Sequence, residues 1–300
     1  MRYRITHHTT YQYRSPVSQC YNVARLAPRD TSRQRCLSSH VQVTPTPASS
    51  TSRNDYFGNR TRHFAIHEPH SRLQISAFSV VEVERTGNGP RSNLLTGEAQ
   101  RLIRESTTEE GLLAREYLVN SPLVARAPAL ADYARQSFPP ERPFLDGVNE
   151  LVNRIFLDFA YDPGFTTVST PLDEVFARRR GVCQDFAHLA IGCFRSLGIP
   201  ARYVSGYIET LPPPGEEKLV GADASHAWFS VYAPNTGWCD FDPTNDTAAS
   251  DQHITVGWGR DYSDVAPLKG VLFGNGEEQQ LAVSVDVQRM DGPVDPPAER

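Results

Sequence analysis

The sequence predicts an α+β protein, β-rich at its start and mixed thereafter. Two observations carry that reading. Apolar residues alternate with polar ones near the N-terminus, and after Pro143 they recur at three- and four-residue steps instead. A third observation gives the second half its chemistry. The segments Gly181-Val182-Cys183-Gln184-Asp185-Phe186-Ala187-His188, Ser225-His226-Ala227-Trp228 and Asp240-Phe241-Asp242-Pro243-Thr244-Asn245 supply, in order, a thiol, an imidazole and a carboxylate. A thiol nucleophile needs those three groups to attack a carbonyl near neutral pH.

In the first part, Tyr3, Ile5, His7, Thr9, Tyr11 and Tyr13 alternate with polar neighbours and predict a strand. Val41 and Val43 mark another, stopped by Pro45 and Pro47, and Leu73 to Val83 alternates again. Asp55-Tyr56-Phe57-Gly58-Asn59 reads as a turn, and Thr86 to Ser92 as a linker. The helical period then takes over. Phe144, Val148, Leu151, Val152, Ile155, Phe156 and Phe159 form one stripe behind Pro143. Thr170 as N-cap and Pro171 in the first turn open the next helix, which runs to Arg178-Arg179-Arg180 before Gly181. The arginines read as an ordinary basic helix end.

Cys183 then falls in the first turn of a buried helix, with Phe186, Ala190, Cys193 and Leu197 as its stripe and Gly198 and Pro200 closing it. The helix end and a neighbouring imidazolium both favour a thiolate there, and the first-turn N–H groups could hold an oxyanion. Cys193, on the stripe, reads as a packed residue. Strands follow at Arg202–Ile208, His226–Tyr232 and Trp238–Asp242, with a surface loop over Leu211–Gly221. A loop centred on Pro234 sets Ser230 against Trp238, Trp228 against Asp240 and His226 against Asp242. His188 reads as a packing or polar residue. Gln184, Asp185 and Trp228 are candidates to shape the cleft, though Asp185 could equally start the helix and Trp228 pack in the core. Metal binding by Cys183, His226 and Cys239 is a weaker alternative, without the usual ligand spacings.

Bulk properties narrow the class. Three hundred residues leave room for two cores, and a net charge of −5 gives no footprint for nucleic acid or for a membrane surface. No run is long and apolar enough to cross a bilayer. The start, Met1-Arg2-Tyr3-Arg4, lacks a signal-peptide core, and five scattered cysteines do not make a disulfide scaffold. The expectation is a soluble cytoplasmic protein with no cofactor and no metal, acting on a peptide or protein amide.

These segments resemble a family. Gly181 to Ala187, Gly198-Ile199-Pro200-Ala201-Arg202, His226-Ala227-Trp228 and Asp242-Pro243-Thr244 are similar to the transglutaminase-like core of the papain-type superfamily. Tyr11-Gln12-Tyr13, Arg25-Leu26-Ala27-Pro28-Arg29, Asp55 to Asn59 and Gly259 to Val265 resemble the bacterial members, including their β-rich N-terminal region. The resemblance implies a Cys-helix packed on an antiparallel sheet. It also implies a triad in which Cys183 is nucleophile, His226 general base and then acid, and Asp242 the residue that orients it. Animal transglutaminases carry Trp where this chain has Gln184 and need calcium, for which no acidic loop is seen here. Amide hydrolysis is therefore expected over cross-linking. Transglutaminase activity and a non-catalytic interaction protein keeping the fold are the alternatives. The expected division is a β-rich domain over 1–85, a linker over 86–94, the helices and catalytic core over 95–291, and a tail over 292–300.

Overall fold

A computed structural model describes residues 1–85, 87, 89–210, 225–274 and 279–290. The expected loop from Leu211 and the tail over 292–300 lie outside them, as does part of the linker. The N-terminal alternation forms strand β1 (Arg2–Val17), which buries Tyr3, Ile5, His7, Thr9 and Tyr13 on one face. Strands β2 (Gln19–Ala24), β3 (Gln34–Thr44), β4 (Ser49–Asn54), β5 (Arg60–Ile66) and β6 (His70–Val83) follow. The predicted turn joins β4 to β5. The Asp55 carboxylate accepts from the backbone N–H of Phe57 and Asn59, and Gly58 takes a φ of 77°.

Four helices come next, α1 (Thr96–Glu105), α2 (Glu109–Arg115), α3 (Pro128–Arg135) and α4 (Phe144–Asp158). The stripe on α4 buries Phe144, Val148, Leu151, Val152 and Ile155, but Phe156 is exposed. Short strand β7 (Ala160–Tyr161) precedes α5 (Leu172–Arg178). Thr170 does not cap α5. Its hydroxyl accepts from the Thr167 N–H, and Pro171 is the boundary residue. The helix stops earlier than its glycine suggests, because Arg179 turns left-handed at φ 55°. That frees Arg180 and Gly181 to form strand β8, parallel to β7.

Helix α6 (Cys183–Ser196) then enters the core, followed by β9 (Ala201–Ile208), β10 (Ser225–Ala233), β11 (Gly237–Asp242), β12 (Thr247–Ala248) and β13 (His253–Gly259). These strands form an antiparallel sheet in the order β12-β11-β10-β9-β13. Phe186, Leu189, Ala190, Cys193 and Phe194 of α6 pack with Phe229, Val231 and Phe241 of the sheet and with α4 in one apolar cluster. A helix that is apolar nearly all round can only sit inside.

After a short helix α7 (Tyr262–Val265) the chain leaves this core. Strand β14 (Leu268–Phe273) pairs with β2, and β15 (Gln279–Met290) pairs with β1. The two N-terminal sheets are thus ordered β15-β1-β6-β3 and β14-β2-β5-β4. Their inner faces meet through Tyr13, Val17, Val43, Phe64, Ile66 and Ile75. The division expected at 95–291 is corrected here: strands β14 and β15 complete the N-terminal sheets and not the core sheet. Without them β1 and β2 would present unpaired N–H and C=O groups along their length. A second cluster, with Tyr3, Ile5, Val285 and Val287 against Tyr207, Ile254 and Val256, joins this sandwich to the core sheet.

Candidate active site

Cys183 is the first residue of α6, half-buried, and its position is set by the residues around it. Val182 is extended, and the Asp185 carboxylate accepts from the Val182 N–H at 2.8 Å and from the Thr166 hydroxyl at 2.7 Å. A Cβ at position 181 would lie 2.7 Å from that carboxylate, so the close approach needs Gly181. Asp185 is buried. Desolvation pushes its carboxyl up, opposed by those two hydrogen bonds. It starts the helix and does not line the cleft, which corrects one of the two roles open to it. Gln184 does line the cleft, with its amide donating to the Val168 carbonyl.

His226 stands on β10 and Asp242 at the end of β11. Their hairpin is real but slipped by two residues from the expected pairing: Ser230 lies against Asp240 and Tyr232 against Trp238. The loop centres on Asn235, left-handed at φ 65°, and not on Pro234. A slip of two keeps every side chain on its face. His226 and Asp242 therefore still meet, on a diagonal, with Nε2 and Oδ2 2.7 Å apart. Burial works against charge on the imidazole, but its hydrogen bonds to Asp242 and Cys183 raise it to about 10. Since Nε2 is spent on Asp242, Nδ1 is the nitrogen left for the thiol. Burial likewise opposes ionisation of Asp242, yet its two histidine partners hold it below the usual carboxylate range.

The structure adds residues that the sequence reading missed. Asp242 is fully buried and accepts from the Thr244 N–H at 2.9 Å, the Asn245 amide at 2.6 Å and His253 Nε2 at 3.1 Å. His253 is on β13, two strands beyond β10. Its Nδ1 accepts from the Ser250 N–H, so a neutral ring carries its proton on Nε2 and donates to Asp242. No local pattern marks His253; only the sheet order brings it there.

Trp228 is completely buried, with its ring 6.1 Å from that of His226 and 5.2 Å from that of His253. It packs with Val204 and Ala249 and is not among the residues lining the cleft at Cys183, so its cleft role is corrected to packing. His188 is also buried, and its Nε2 accepts from the Tyr262 N–H. Among the described residues His226, Asp242 and His253 are a three-residue group able to approach a metal. The atoms a metal would use are those already hydrogen-bonded to one another. Cys239 is not among them; it is buried on β11, and desolvation pushes its thiol up to about 12.

Cys183, Gln184 and His226 open on a cleft of about 410 Å³. Its far wall is the face of the β1/β15 ribbon, through His7, Thr9 and Tyr11 and through Leu281, Val283 and Val285. The arrangement can activate a thiol beside an imidazole and hold a carbonyl at a helix N-terminus.

Comparison with known proteins matches the same two parts. Residues 3–82 match the bacterial transglutaminase-like N-terminal region, and residues 129–243 match the transglutaminase-like superfamily. The uncharacterized protein Rv2569c of Mycobacterium tuberculosis is 41% identical over 298 residues, 97% of this chain and 94% of that protein. A protein-glutamine gamma-glutamyltransferase of Pseudomonas aeruginosa is 27% identical over 206 residues, 64% of this chain and 31% of that protein. The crystal structure of a candidate cysteine protease from Cytophaga hutchinsonii shares the fold, with a TM-score of 0.78 at 23% identity over 99% of this chain and 93% of the other.

Proposed function

The chain belongs to the bacterial transglutaminase-like family, and from that premise we propose that it is a cysteine acyl-transfer enzyme hydrolysing an amide or peptide bond. The observation that carries the proposal is the 2.7 Å contact from His226 Nε2 to Asp242, which leaves Nδ1 to the Cys183 thiol. The Cys183 sulfur attacks the carbonyl carbon, and the backbone N–H groups at the start of α6 take the oxyanion. The His226 imidazolium then gives its Nδ1 proton to the leaving amine as the C–N bond breaks. Water, losing a proton to the same nitrogen, cleaves the thioester and restores the thiol. Asp242 stays ionised and fixes the ring, and His253, Asn245 and Thr244 position Asp242.

The second reading is transfer to an amine in place of water, as the name of the Pseudomonas aeruginosa relative suggests. We favour hydrolysis because Gln184 stands where cross-linking members of animals carry Trp. A reducing cytoplasm suits the five unpaired cysteines and is the proposed location. The test is intact-mass detection of an acyl-enzyme with amide substrates, run with and without a primary amine. A thioester on Cys183 that decays to acid with the amine present supports hydrolysis. Decay to the amide supports transfer, and no adduct on Cys183 alongside ordinary thiol reactivity overturns both.

A further inference from the structure

We propose that the cleft selects an uncharged, apolar side chain flanking the scissile amide, and that the β-sandwich supplies this selectivity; the proposal rests on the catalytic reading above. Three cross-strand pairs of the β1/β15 ribbon face Cys183 and His226: His7 with Val285, Thr9 with Val283 and Tyr11 with Leu281. Their exposure rises along the ribbon. Val285 is fully buried, whereas Val283 is 51% and Leu281 56% exposed. Both point into a cleft, not outward, and such apolar surface inside a cleft is what a substrate side chain covers. Pro267 and Leu268 extend the same wall.

The wall is also without charge. Among the described residues lining the cleft there is no Asp, Glu, Lys or Arg. His7, its one titratable base, is tied by Nδ1 to the Tyr207 hydroxyl and by Nε2 to Thr9. Burial, with His8 nearby, lowers it to about 4, so it stays neutral near pH 7. A charged side chain against this wall would lose water and meet no counter-charge among its described residues, whereas an aliphatic or aromatic one would gain by burial. Leu281 and Val283 are the specificity-determining residues. Neither belongs to the catalytic core; both stand on β15, which pairs with β1.

The experiment uses a series of blocked peptide amides, identical except for Leu, Phe, Asp or Lys beside the scissile bond, with the full chain. The expected kcat/KM is roughly 10- to 100-fold higher for Leu and Phe than for Asp and Lys. Leu281→Asp and Val283→Asp should collapse that ratio about ten-fold or more and improve the Lys peptide. Leu281→Thr and Val283→Thr, which suit a strand, should reduce it less and serve should the Asp variants not fold. Cys183 should remain the selectively alkylated thiol with iodoacetamide in all of them. A flat profile, or one that the variants leave unchanged while Cys183 remains selectively reactive, overturns the proposal and spares the catalytic reading. If no peptide is turned over, binding of the same series to Cys183→Ala decides: tighter Leu and Phe peptides uphold the selectivity, and equal affinities overturn it.

Discussion

Two pairs in the core, buried His226 with buried Asp242 and buried His188 with buried Asp261, behave oppositely. His226 is raised to about 10, whereas burial lowers His188 to about 4 despite the charge of Asp261. The difference lies in how the carboxylate oxygens are used. Asp242 gives Oδ2 directly to the imidazole. Asp261 gives its oxygens to the N–H of Leu123 and to the N–H and hydroxyl of Ser263, capping α7. His188 meanwhile accepts from the Tyr262 N–H and has no room at Nε2 for a proton. Burial lowers both imidazoles; what separates them is that His226 hydrogen-bonds directly to a carboxylate, which outweighs its burial, and His188 does not. The thiols of α6 repeat the contrast. Cys193, deep in the same helix, is pushed up to about 12 by desolvation, whereas Cys183 at its start faces His226.

The strongest way to break this contrast is to exchange the thiols one at a time. Cys183→Ala should lower kcat/KM by about 10⁴-fold or more with little change in stability. Cys193→Ala should keep activity and cost about 1–2 kcal/mol in urea unfolding, for the small cavity it leaves. Loss of activity in both would mean that α6 and not its first residue matters. The carboxylates give the next effect. Asp242→Asn should reduce kcat by about 10³–10⁴-fold. Asp261→Asn should leave kcat alone and weaken the α7 cap by about 1 kcal/mol. A smaller effect is expected for His253→Leu, which cannot donate to Asp242. Removing one hydrogen bond to a charged group costs about 1.5–3 kcal/mol, so kcat should fall roughly 10- to 100-fold with KM unchanged. The rate of Cys183 alkylation below pH 7 should fall with it, which a merely structural role would not produce.

How much of this was legible in sequence depended on how local the signal was. The position of Cys183 is written in neighbours within twenty residues, from Gly181 to Pro200, and the period of α6 confirms its burial. The meeting of His226 with Asp242 survived a register error, because a two-residue slip preserves faces. Thr170 misled, since its hydroxyl is spent on Thr167 and not on the helix. His253 and strands β14 and β15 could not be read at all. Their partners are set by sheet order over long sequence separations, with Asp286 of β15 paired to Thr6, and nothing near them in the chain encodes it.

The finest test of the contrast is the pH dependence of stability, where the two histidines act at opposite ends. His188 is neutral in the folded protein until pH falls to about 4, whereas an unfolded histidine takes its proton near 6.5. Between those values the unfolded state binds the extra proton, so stability drops as pH falls, by about 1.4 kcal/mol per pH unit from this site. His226 works the other way. Its pairing is fully stabilising below about pH 6.5 and is lost as pH rises through about 10. Urea unfolding of wild type, His188→Leu and His226→Ala from pH 4 to 10.5 separates them. On the acid limb alone, wild type should lose stability relative to His188→Leu as pH falls. The difference for His226→Ala should shrink on the alkaline limb alone. His7, also lowered to about 4, adds the same acid slope to all three proteins and cancels in the comparison. An acid slope that His188→Leu leaves intact would show that Asp261 does share its charge with the ring, and the two pairs would then differ in degree and not in kind.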